Sequence, residues 1–256
     1  MPTTLSLDQH LTAIERSGQR LGELVAATPA GRKVPTCPAW DAKALLAHQA
    51  MVHRWATAQI RGDDPSGLPT QTALRRRTTL PRYYAEGLDG LVAALRAAPA
   101  DLQAMRFLND APEPREFWAR RQAHETTMHM VDALAGSLDR VPTTVEADID
   151  RDLAVDGLDE LLRGFFTRGR SKLFDGAEYS FVVAPDDADR HWVIDVAEKL
   201  KVRDGDRAAT DGAAATMRGS AAALYLALWN RGSDVSVDGD GTVADRWRAT
   251  QRITWS

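Results

Sequence analysis

Apolar residues in the first half of the chain recur at intervals of three and four. Over residues 5–27, Leu7, Leu11, Ile14, Leu21 and Leu24 mark one face of an amphipathic helix. VPTCPAW (34–40) breaks the pattern with two prolines and reads as a loop. Asp41 is suited to cap a second helix over 42–60, with Leu45, His48, Val52 or Met51, and Trp55 on its apolar face. His53 falls off that face and is expected in solvent. GDDPSGLP (62–69) is a loop, and residues 81–98 form a third helix with Pro81 near its start. Residues 98–114 hold three prolines and no period. A fourth helix spans 115–136, with Gly136 as its C′ residue. Four such helices predict a bundle.

The second half changes period. Residues 137–149 read as a linker and 150–168 as another amphipathic helix. EYSFVVAP, HWVIDVA and KLKVRDG alternate and are rich in β-branched and aromatic residues, so they read as strands. The last two meet at Glu198 as a hairpin. AAATMRG and DVSVDGD add short strands, SAAALYLALWN a buried helix and TVADRWRATQRI a terminal helix. The fold class is therefore α+β with two domains: a helical bundle over 1–140 and a small domain over 141–256, its helices packed on an antiparallel sheet.

One stretch of the fourth helix, RQAHETTMHMVDAL (121–134), is polar where a core face should be apolar. A helix advances about 100° per residue, so Glu125, His129 and Asp132 share a stripe, while His124 points away from it. The second helix puts His48 on the face that must pack against its neighbours. A buried carboxylate needs a cation or a metal beside it. Two imidazoles and one carboxylate, with a fourth position open, make a common zinc site. Asp132 is placed to orient a histidine ring, to act as general acid or base, or to serve as a further ligand. The plainer reading is a helical Glu–His pair and a core histidine bonded to a carbonyl. The spacing does not fit a zincin, whose two histidines are four apart; His124 and His129 are five apart.

Charge and composition narrow the class. A net charge of −4 argues against nucleic acid, and no apolar run reaches the roughly 20 residues that span a bilayer. The N-terminus lacks a secretory signal, and the single cysteine, Cys37, excludes an internal disulfide; both suit a cytoplasmic protein. Cys37 has no base near it in sequence and reads as a structural loop cysteine. RRR (75–77) and TRGR (167–170) are either anion sites or solvated faces. DGDG (238–241) lacks the other ligand positions of an EF-hand and reads as a turn.

VPTCPAWDAKALLAHQAMVHRW and REFWARRQAHETTMHMVDA together resemble the mycothiol-dependent maleylpyruvate isomerase family, whose N-terminal domain is a DinB-like metal-binding four-helix bundle. From ATMRG onward the chain is similar to that family's C-terminal α+β domain, which has a sterol-carrier-like character. The resemblance implies zinc held by His48, Glu125 and His129, with Asp132 near the active site. It also implies arginines for the substrate carboxylates, assigned to Arg82 and Arg218. Mycothiol, a small-molecule thiol, would be the cofactor or cosubstrate. Bound to zinc as thiolate, it would add to an electrophilic substrate, in a cis–trans isomerase or an S-transferase. The expected state is a monomer or homodimer. Two other classes stay open: a metal-dependent hydrolase needing no thiol, and a non-enzymatic small-molecule-binding protein stabilised by metal.

Overall fold

A computed structural model of the protein describes residues 4–29, 31–206 and 210–251. The chain forms two compact units, Met1–Arg106 with Ala111–Pro142, and Phe107–Asp110 with Thr143–Ser256.

The first unit is a helical bundle. Helix α1 (Leu7–Ala27) opens with a capping box, in which Ser6 and Gln9 each satisfy the other's backbone N–H. It packs on the later helix Leu80–Ala97 through Gly18, where an added Cβ would come within 2.6 Å of Leu88. The 34–40 stretch is not a plain loop. Strands β1 (Lys33–Val34) and β2 (Cys37–Asp41) pair antiparallel as a small ribbon. Pro38 is tolerated there because a two-stranded ribbon leaves edges without pairing demands. Asp41 caps α2 (Ala42–Arg61), accepting from Ala44 N–H at 2.8 Å. A short helix, α3 (Gln71–Arg75), precedes α4 (Leu80–Ala97) and α5 (Pro114–Leu138).

Helix α5 runs through the expected stop at Gly136 and ends at Asp139, which takes the left-handed conformation with φ 59°. Gly136 faces the ribbon within the helix, where an added Cβ would make an ordinary contact with Val34 at 3.5 Å. Helix α5 packs on α1 and α2, and α2 packs on α4. Nearly every α5 residue from Phe117 to Gly136 is buried, polar ones included. Those polar groups must therefore find partners inside the protein.

In the second unit, the expected linker contains a one-turn helix, α6 (Thr144–Ala147), closed by a Thr143–Glu146 capping box. Helix α7 (Arg151–Asp159) continues as a π-helical turn over Glu160–Phe165. Strands β3 (Tyr179–Pro185), β4 (His191–Val196), β5 (Lys201–Gly205), β6 (Ala215–Gly219) and β7 (Ser236–Gly239) form one sheet in the order β5-β4-β3-β6-β7. The expected hairpin at Glu198 is β4–β5.

The sheet is antiparallel except at one pair, because β3 and β6 run parallel. The chain leaves β5 at one edge and re-enters beside β3 on its far side, a crossover that local alternation does not encode. Helix α8 (Ala221–Leu228) is buried all round and packs on α7 and the sheet; α9 (Thr242–Thr250) follows. The last two residues of the expected terminal helix lie outside the described residues. No described helix is long and apolar enough to cross a membrane.

Candidate metal centre

The first unit brings His48, Glu125 and His129 together, with one ligand atom of each within 4.8 Å of the others. All three are buried. Glu125 Oε1 lies 3.2 Å from His129 Nε2 and 3.5 Å from His48 Nε2. Its other oxygen accepts a hydrogen bond from Arg121 at 3.2 Å. Arg121 is four residues, one turn, before Glu125, and is 1 % exposed. The carboxylate therefore has a division of labour: Oε2 is tied back along the helix and Oε1 is turned to the two imidazoles.

Asp132 lies on the far side of His129, its Oδ2 2.9 Å from Nδ1. A proton on Nδ1 shared with a carboxylate leaves Nε2 to face Glu125 and His48. The same Asp132 oxygen accepts from Cys37 Sγ at 3.4 Å. Cys37 is thus held beside an acid that is distant in sequence, a proximity set by the β1–β2 ribbon. The ribbon also delivers Trp40. Its ring lies 4.7 Å from that of His48 and 5.8 Å from that of His129, while the two imidazoles meet edge-on at 4.9 Å.

The electrostatics favour positive charge at this place. Burial alone would push the His129 imidazole down, but the Asp132 and Glu125 carboxylates raise it to about 9. Burial would raise Glu125, yet hydrogen bonds from His129 and His48 and the Arg121 charge hold it well below the usual carboxylate range. His48 is lowered, chiefly by burial, with Glu125 partly opposing. With both imidazoles neutral, as metal binding requires, Glu125 and Asp132 against Arg121 leave one negative charge around two imidazole nitrogens. That donor set and charge fit a divalent cation.

His53 corrects the expectation of a solvated side chain. It is fully buried. Its Nε2 lies 2.8 Å from Gln49 Nε2 and 3.0 Å from Thr126 Oγ1, and its ring stacks on Tyr84 at 5.6 Å. The reason is that α2 is covered on two sides, by α5 and by α4, so it buries Gln49, His53, Ala56 and Ile60 as well as Leu45 and His48. Burial pushes the His53 imidazole down to about 3.

The sequence also singled out Arg82, Arg218 and the DGDG stretch. Arg82 is exposed on α4 and pairs with Glu86 at 2.7 Å. Arg218, on β6 of the second unit, pairs with Asp238 at 2.9 Å. The DGDG stretch closes β7 and leads into α9, as a turn would. Sequence reasoning missed Arg121, although its one-turn spacing from Glu125 was a usable signal. It also gave Trp40 and Cys37 no position at the site, because that position depends on the ribbon.

A family model described as the mycothiol maleylpyruvate isomerase N-terminal domain matches residues 11–134. A second, for the C-terminal domain of the same family, matches residues 152–246. Among solved structures, the chain is similar to a crystal structure of the mycothiol-dependent maleylpyruvate isomerase, with a TM-score of 0.60. It is similar also to that of a histidine-to-alanine mutant of that enzyme, with a TM-score of 0.62. In both cases identity is 16 %, over 93 % of this chain and 96 % of the other. A comparison with curated protein sequences gives no significant match. The two domain models match in chain order, over residues 11–134 and 152–246, and the fold agrees across nearly the whole length; the chain belongs to the mycothiol-dependent maleylpyruvate isomerase family.

Proposed function

We propose that this chain is a metal-dependent isomerase that uses mycothiol, acting on a cis double bond conjugated to carbonyl groups, as in maleylpyruvate. The observation that carries the reading is the buried His48–Glu125–His129 cluster, backed by Asp132, in a chain of this family. His48 and His129 would hold a zinc-like cation through Nε2, and Glu125 through Oε1. When bound, the metal would keep the thiol as thiolate at neutral pH, and reversible thiolate addition would free the double bond to rotate from cis to trans.

The protein's own groups have distinct parts. Asp132 holds the His129 ring in the tautomer that presents Nε2. Arg121 keeps one oxygen of Glu125 occupied, which favours single-oxygen ligation by the other. Trp40 closes one side of both imidazoles and excludes water from them. Charge balance supports an anionic thiol. Among Arg121, Glu125, Asp132 and a divalent cation, one positive charge is left over, and a thiolate would cancel it.

The test is metal analysis together with activity on one sample. Isomerisation of maleylpyruvate is followed with and without mycothiol, and zinc content is measured. Thiol-dependent turnover with about one metal per chain is expected. Consumption of added electrophiles with the thiol retained in the product would instead identify an S-transferase. Metal without any thiol dependence would point to hydrolysis or simple binding.

A further inference from the structure

The first unit carries a concavity away from the residues of the His48–Glu125–His129 cluster, none of which lines it. It has a volume of about 1080 Å³, at the upper end of small-molecule sites. Asp132 does not line it either. Its floor is apolar, formed by buried Leu46, Leu80, Tyr84 and Leu88. Gly22 of α1 keeps the floor open: it lines the cleft, and a Cβ there would already lie 3.4 Å from the Tyr84 ring.

The walls are charged unequally. The bank made by α2 and α3 carries Lys43 and the run Arg75–Arg77 noted in the sequence. Arg75 is paired with Asp41, and Arg77 lies over the Tyr83 ring at 4.7 Å. Lys43 and Arg76 are exposed and have no ionic partner among the described residues. The charged lining residues of α1 and α4 are instead the acids Glu23 and Asp89. A ligand's negative end would thus seat on the α2–α3 bank, and its apolar body along the floor.

We propose that this cleft binds a small anionic amphiphile: a carboxylate joined to an apolar chain. The charge asymmetry selects the head and its orientation, and the Leu46–Leu80–Tyr84–Leu88 floor selects the tail. The site is independent of the metal chemistry proposed above.

Calorimetric titration of the full chain with decanoate, below micelle formation, tests it. Decyltrimethylammonium has the same tail with a cationic head, and acetate has the head without the tail. One saturable decanoate site is expected, with both controls at least about tenfold weaker, a difference of about 1.4 kcal/mol. The double substitution Lys43→Glu with Arg76→Glu should weaken decanoate about tenfold or more. Gly22→Leu should do the same by filling the cleft, since leucine favours a helix interior over glycine. Both variants should keep the metal content of the parent chain, which separates this proposal from the metal assignment. Absence of saturable binding would overturn it. So would equal binding of decyltrimethylammonium or acetate, or decanoate affinity unchanged in the folded variants.

Discussion

His53 makes the bundle sensitive to acid in a way that can be calculated. In the folded protein its ring is fully buried between Gln49, Thr126 and Tyr84, and it titrates at about 3 instead of 6.5. As oriented, the Gln49 amide donates to Nε2, so a protonated ring would set two donors against each other. The folded value lies below the unfolded one. Between pH 6.5 and 3 the unfolded chain therefore binds the extra proton, and stability rises with pH across that window. The contribution is complete above pH 6.5 and is lost as pH falls towards 3. The slope is about 1.4 kcal/mol per pH unit, so about 2 kcal/mol is gone by pH 5.

His53→Gln removes the titrating group while keeping an amide towards Gln49 and Thr126. Urea unfolding of both proteins at pH 7 and pH 5 isolates the effect, since every other titrating group is common to the two. The variant should be the less stable protein at pH 7, and the gap should shrink by about 2 kcal/mol at pH 5. A gap that does not change with pH would refute the reasoning. So would an NMR titration of the wild-type His53 ring with a midpoint near 6.5.

Four further outcomes are expected. His129→Ala should lose the bound metal, and Asp132→Asn should weaken it about 10- to 100-fold by freeing the His129 ring; metal titration reads both, and unchanged affinity would remove these residues from the site. Arg121→Met should destabilise the metal-free protein by about 1–3 kcal/mol, because the Glu125 carboxylate loses one charged hydrogen bond while His129 and His48 still face it; an unchanged denaturant midpoint would contradict that pairing. Gly18→Val should cost about 1–3 kcal/mol, since Leu88 occupies the space its Cβ needs; an unchanged melting temperature would show that α1 and α4 separate freely.

The sequence by itself determined most of the elements and the three polar residues of the buried cluster. Helical and strand periods are local properties, so α1, α2, α4, α5 and the strands of the second unit follow from spacing alone. His48, Glu125 and His129 were legible because the four-residue spacing of Glu125 and His129 places them together on α5, and because burying polar groups demands a reason. What the period could not carry was how many neighbours an element has. Helix α2 is covered on two sides, which is why His53 is interior and not solvated. The β1–β2 ribbon brings Cys37 to Asp132 and Trp40 to both imidazoles across contacts of long sequence separation. The parallel β3–β6 pair is likewise a choice of crossover, made by packing the sheet and not by the alternation of either strand. Gly136 looked like a stop because glycine is the usual left-handed residue; Asp139, three residues further on, took that role. Local spacing names the groups that can do chemistry, and only tertiary packing fixes their partners, because those partners come from elements the chain reaches after long excursions.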